Sequence, residues 1–138
     1  MYAWGNNQDG QLGLGTITIS QTTPALVTTT AFSQVVAGYG HTAARKADGT
    51  IFVWGRNDEG QLGLGDVVSR TEPTIITETN WADIASSYNH IIGKKTDGTI
   101  WSWGANAQGQ LGLGDLVTRT APTKVLTDTD WTVIGAGW

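Results

Sequence analysis

Gly10-Gln11-Leu12-Gly13-Leu14-Gly15 returns as residues 60–65 and again as residues 109–114. Each copy stands behind a Trp-Gly pair: Trp4-Gly5, Trp54-Gly55 and Trp103-Gly104. The copies are 50 and 49 residues apart. Self-similarity at that period marks a repeat architecture, in which each unit buries its apolar face only against its neighbours. The match runs well beyond the glycines. Pro24, Pro73 and Pro122 recur in step, as do Phe32, Trp81 and Trp131, and so do His41 and His90. Asp48-Gly49-Thr50 returns as Asp97-Gly98-Thr99. The chain therefore reads as a single repeat domain over 1–138, holding about 2.8 units. These are a partial repeat 1–40 and repeats 41–89 and 90–138.

Each unit is expected to supply four short strands. The first is Thr42–Lys46 or Ile91–Lys95, followed by a turn at Asp48-Gly49 or Asp97-Gly98. Asp-Gly suits the positive φ angles of a two-residue hairpin turn. The second strand is Ile51–Trp54, Ile100–Trp103 and, in the first unit, Tyr2–Trp4. The Gly-rich loop follows. The third strand starts just after the proline, at Ala25–Val27, Thr74–Ile76 and Thr123–Leu126, where a missing N–H falls outside the ladder. The fourth is Gln34–Ala37, Ile84–Ser86 and Val133–Gly135. No stretch carries a helical period, and Thr, Val, Ile and Trp fill the apolar positions. The expectation is an all-β fold of β-propeller blades, each of four antiparallel strands. Such blades would form a partial propeller of about three blades or part of a larger or oligomeric ring.

A net charge of −4 and a pI near 4.8 speak against a nucleic-acid or anionic-membrane partner, because both select clustered Lys and Arg. Without cysteine there is no disulfide, thiolate metal site or Cys nucleophile. No apolar run approaches the roughly 20 residues that span a bilayer. No basic segment with an apolar core opens the chain, so no compartment is assigned.

The pattern Trp-Gly-x-Asn-x-x-Gly-Gln-Leu-Gly-Leu-Gly-Asp, then Pro, an aromatic-led strand, Gly-x-x-His-Thr and Asp-Gly-Thr resembles the repeats of the regulator of chromosome condensation family. The resemblance covers essentially the whole chain and implies a propeller, usually of seven blades. It also implies a choice of activity. The family's best-known member is a guanine-nucleotide exchange factor for a small nuclear GTPase and binds chromatin, while many others are interaction modules. The exchange factor works through a projecting element, and no repeat here carries a long insertion. The first repeat also departs from the others. It has Thr16 in place of Asp66 and Asp115, and Gln21 in place of Arg70 and Arg119.

Candidate chemistry divides between structural and functional readings. The Gly-rich loop reverses the order of a dinucleotide fingerprint and precedes no helix that would hold a phosphate. Its glycines are expected to supply positive φ while Leu12, Leu14, Leu62, Leu64, Leu111 and Leu113 drop into the core. The Asn-rich approach to the loop hints at calcium, but Ala105-Asn106-Ala107-Gln108-Gly109 has no carboxylate. Asn6 or Asn7, Asn57 and Asn106 are instead expected to bond their own loop backbone. No cofactor or metal is expected.

His41 and His90 are read as structural, and no triad spacing surrounds them. Trp4, Trp54 and Trp103 are expected in the core. Arg70 and Arg119 either pair with Asp66 and Asp115 or grip an acidic partner. Tyr39, Tyr88 and Trp138 occupy equivalent positions and would form an aromatic row for a protein or a sugar.

The chain has no polar capping segment, and Tyr2–Trp4 would leave an unpaired strand edge. Either the remainder of a longer chain or further copies of this one would complete the ring. The function expected is a non-catalytic protein-interaction scaffold and not an enzyme. The alternatives are guanine-nucleotide exchange on a small GTPase and glycan binding.

Overall fold

The computed structural model describes residues 1–125 and 127–137. Ten strands run in chain order: β1 (Tyr2–Asn7), β2 (Thr18–Leu26), β3 (Gln34–Ala37), β4 (His41–Arg45), β5 (Ile51–Gly55), β6 (Arg70–Ile75), β7 (Trp81–Ser86), β8 (His90–Lys95), β9 (Ile100–Gly104) and β10 (Arg119–Lys124). No helix forms among the described residues. β1 and β2 make a two-stranded antiparallel sheet. β3-β4-β5-β6 and β7-β8-β9-β10 make two four-stranded sheets, each antiparallel and each in sequence order. The fold is all-β, built of antiparallel blades.

The sheets are offset from the sequence repeats. The aromatic-led strand that closes one repeat is the first strand of the next sheet, so β3 pairs with β4 through Gln34↔Arg45 and Ala37↔Thr42. Each repeat is thereby stitched to its neighbour by backbone hydrogen bonds as well as by side chains. Val133–Gly135, expected as a fourth strand, joins no ladder. Among the described residues it has no counterpart of β4 or β8 to pair with.

Two local expectations are corrected. The prolines do not start their strands but lie inside β2, β6 and β10. Those strands are sheet edges, and their registers slip near the proline, between Arg70 and Thr74 and between Arg119 and Thr123. An edge strand with an interrupted ladder needs no proline N–H. The Asp-Gly turns are not two-residue turns either. The Gly49 N–H bonds the Lys46 carbonyl at 3.1 Å and the Lys46 N–H bonds the Thr50 carbonyl at 2.9 Å. Gly49, at φ 81°, is left-handed while Asp48 is not. This is a type I turn closed by a left-handed glycine, the three-residue hairpin. The Asp48 carboxylate accepts the Thr50 N–H at 3.0 Å, which holds Asp48 in the right-handed region. Asp97 and Gly98 repeat the arrangement.

The core lies between the two four-stranded sheets. Ala43, Ile51, Val53, Leu62, Ile76, Trp81, Ile84, Ile91 and Trp103 form one buried cluster. Within it the Trp81 ring packs 5.5 Å from Trp103 and edge-on to Trp101. Lys95 Nζ lies over both Trp81 and Trp101, covering the outer aromatic edge with a cation.

Candidate interaction surface

A buried asparagine organises each Gly-rich loop. Asn57 is fully buried; its Nδ2 donates to the Asp66 and Val68 carbonyls at 3.0 and 3.1 Å, and its Oδ1 accepts the Leu62 N–H at 2.8 Å. Asn106 does the same with Asp115, Val117 and Leu111. In the first loop Asn7 spans Thr16 and Leu12. One side chain thus satisfies both ends of a loop that has no ladder of its own. The first leucine of each loop, Leu12, Leu62 or Leu111, is buried. The second, Leu14, Leu64 or Leu113, is half-buried at the loop's edge.

The loop of one sheet receives the tryptophan of the next. Trp54 Nε1 donates to the Gln11 carbonyl at 2.9 Å, and Trp103 Nε1 donates to the Gln61 carbonyl at 3.1 Å. A Cβ on Gly13 would stand 2.8 Å from the Trp54 indole nitrogen, and one on Gly63 would stand 2.7 Å from that of Trp103. Only glycine lets the ring approach this closely. The Gly15 and Gly65 N–H groups complete the joint by bonding the Thr71 and Thr120 carbonyls at 2.9 and 2.8 Å. Trp4 differs from its counterparts. It was expected in the core, but 62% of it is exposed. Among the described residues the Gly-rich loops face Trp54 and Trp103, and none faces Trp4.

His41 and His90 are both buried. Burial pushes the His41 imidazole down to about 4, helped by repulsion from His90, and burial also lowers His90. The two rings therefore sense each other across neighbouring sheets, which their equivalent sequence positions did not indicate. His41 Nε2 lies 2.9 Å from Ser86 Oγ, while its Nδ1 is buried without a partner. A buried bare lone pair costs less than a stranded N–H, which places the proton on Nε2, donating to Ser86. A ring in that state donates to the serine hydroxyl and does not accept its proton. Ser86 is 45 residues from His41, and only the alignment of β4 against β7 brings them together.

Arg70 and Arg119 each reach back four residues, to Asp66 at 2.7 Å and Asp115 at 2.6 Å. Each also bonds a loop carbonyl, of Val68 or Val117. The Val68 N–H and then Arg70 hold the Asp66 carboxyl below its usual range, and Val117 and Arg119 do so for Asp115. The guanidiniums thus brace their own loops.

Tyr39 and Tyr88 come together. Their ring centroids are 4.6 Å apart, tilted by 31°, and the Tyr39 N–H bonds the Tyr88 carbonyl at 3.1 Å. Tyr39 is 61% exposed and Tyr88 39%. An open hollow runs along them over Ala37, Gly38 and Ser87. Trp138, the third expected member of the row, lies outside the described residues. Ser87 Oγ does reach the Gly137 carbonyl at 2.8 Å.

A family model, the regulator of chromosome condensation (RCC1) repeat, matches residues 1–45, 48–93 and 97–138. A second model of the same repeat matches 32–61 and 81–110. The chain belongs to the RCC1 repeat family. Among solved structures, yeast RCC1 (Prp20), in a crystal structure with Kap60, superposes with a TM-score of 0.86 at 23% identity, covering 99% of this chain and 36% of that one. A structure of Prp20p from Saccharomyces cerevisiae gives 0.81 at 23%, with coverages of 94% and 34%. Human WBSCR16 gives 0.75 at 22%, with coverages of 89% and 34%. No curated protein sequence matches. These likenesses show the RCC1 propeller fold, and this chain spans about a third of the length of those relatives.

Proposed function

We propose that this chain is a non-catalytic protein-interaction scaffold whose contact surface centres on the Tyr39–Tyr88 stack. The stack carries the reading. Two tyrosines from equivalent turns of adjacent blades are locked together by a backbone hydrogen bond, and both stay exposed. Rigid aromatic rings lose little entropy on binding and recur at the centres of protein interfaces. A structure of the related Prp20p is described by that protein's binding to Gsp1p and histones, which supports a protein as the class of partner.

Exchange on a GTPase has less support. The longest connections between strands are the three equivalent Gly-rich loops, and no other element projects among the described residues. Glycan binding also has less, because each tyrosine of the stack already turns one face to the other.

Selecting peptide binders from a displayed random library tests the reading. The scaffold account expects binders that lose at least about tenfold in affinity on Tyr39→Ala or Tyr88→Ala, with melting unchanged. Binders indifferent to both substitutions would contradict the assigned surface. Accelerated nucleotide release from a panel of loaded small GTPases would contradict the non-catalytic claim.

A further inference from the structure

An edge-on pair of aromatic rings accompanies each four-stranded sheet. Trp81 and Trp101 stand 6.3 Å apart at 83°, and their counterparts Phe32 and Phe52 stand 5.7 Å apart at 65°. The tryptophan pair carries its own cation, with Lys95 Nζ 4.9 Å from the Trp81 ring centre and 4.3 Å from that of Trp101. The phenylalanine pair has none among the described residues. Lys46 occupies the position of Lys95 but turns to Asp48, at 2.9 Å. Both phenylalanines are half-buried, and both line a cleft of about 330 Å³ between the Gly13–Gly15 stretch of the first loop and β6. Glu72, exposed on β6, borders the same cleft, its Oε1 2.8 Å from where a Cβ on Gly15 would stand. Its carboxylate makes no hydrogen bond or ion pair among the described residues. A cleft with the same walls recurs at the second joint, lined by Gly63, Leu64, Gly65, Ile75 and Ala121 among others. Four-stranded sheets stand on both sides there, so the cleft belongs to the joint between consecutive blades. What differs between the joints is the chemistry. Ala121 takes the place of Glu72, and no atom lies within 4 Å of a would-be Cβ on Gly65.

We infer that the Glu72 cleft receives a lysine side chain presented by a protein partner. The ammonium lies against Phe32 and Phe52 as Lys95 lies against the tryptophans, and Glu72 supplies the opposite charge. Three features of the cleft select this occupant. Its aromatic rings attract a cation, its apolar walls suit an alkyl stem, and its carboxylate is unpaired. A carboxylate at an exposed site would by itself hold a cation only weakly. Beside two rings in one cleft, it distinguishes a charged side chain from a neutral one of the same length. The second cleft lacks this selectivity, because its carboxylate position holds alanine and its aromatic pair is already covered from within the chain. A net charge of −4 also favours a basic partner. This contact shares no residue with the Tyr39–Tyr88 surface and does not depend on it.

Titrating the nitrogen-15-labelled chain with the capped peptide Gly-Gly-Lys-Gly-Gly tests this, with norleucine in place of lysine as the neutral control. The expected result is a saturable change in the amide signals of Gly13, Gly15 and Glu72, with a Kd on the order of 1 mM. The norleucine peptide is expected to bind at least about fivefold more weakly. Glu72→Gln changes an exposed side chain and is expected to weaken the lysine peptide about fivefold. Phe52→Leu keeps the position apolar, removes a ring, and is expected to weaken it about threefold. Tyr39→Ala is expected to leave this binding unchanged, which separates the cleft from the tyrosine surface. The proposal is overturned if those three amides do not respond, or if norleucine binds as well as lysine. It is equally overturned if Glu72→Gln binds as the wild type does, or if Tyr39→Ala abolishes binding. The dispersion of each amide spectrum confirms that the variants fold.

Discussion

His41 is a core residue whose protonation is linked to folding. Its imidazole titrates near 6.5 when unfolded and about 4 when folded, held down by burial and then by His90. The unfolded chain therefore binds the proton more readily. The stabilisation is complete above pH 6.5 and is lost as pH falls toward 4. Between pH 7 and pH 5 the loss amounts to about 2 kcal/mol, with His90 adding in the same direction. Urea midpoints at the two pH values check this, and His41→Gln should flatten the difference. The carboxylates whose pKa values are lowered lose their contribution only at lower pH. At this scale the sequence was partly readable. The glycines, leucines and asparagines announced their roles by recurring beside a fixed Trp-Gly. The His41–Ser86 contact was not readable, because it depends on how β4 faces β7 and no spacing encodes that.

The hairpin between β4 and β5 shows what sequence chemistry leaves open at the level of elements. Asp48-Gly49 marks a turn in either of two geometries, and the Asp48 carboxylate decides between them by capturing the Thr50 N–H. Only Gly49 then needs a positive φ. A Cβ there would also sit 3.1 Å from the Trp81 backbone nitrogen. Gly49→Ala should therefore cost about 1–2 kcal/mol, seen as a lower urea midpoint, and Gly49→Asn should recover part of it. Strand positions were readable to within a few residues wherever a partner strand exists, except for β2, which starts at Thr18 where Ala25 was expected. Pro73 and Pro122 misled because a proline inside an edge strand looks, in one dimension, like a strand start. Val133–Gly135 has strand-forming residues, but a strand is completed by its neighbour, which composition does not report.

Across the whole molecule, blades are joined by one device used repeatedly. A tryptophan crosses to the preceding loop, donates to its glutamine carbonyl, and lies where only glycine leaves room. The repeat period made the architecture legible at once, but Trp4 shows the limit of reasoning by equivalence. Its residue type and spacing match Trp54 and Trp103, yet burial belongs to the pair formed with a preceding loop and not to the residue. The same reasoning separates the glycine amides. Gly15 and Gly65 are bonded to the next sheet, whereas Gly114 has no such partner among the described residues. Amide hydrogen exchange resolved by residue tests this joint most directly. Exchange at Gly15 and Gly65 should be roughly 100-fold slower than at Gly114. Equal rates at all three glycines would contradict the account, because the loops would then not be held by the sheets that follow them.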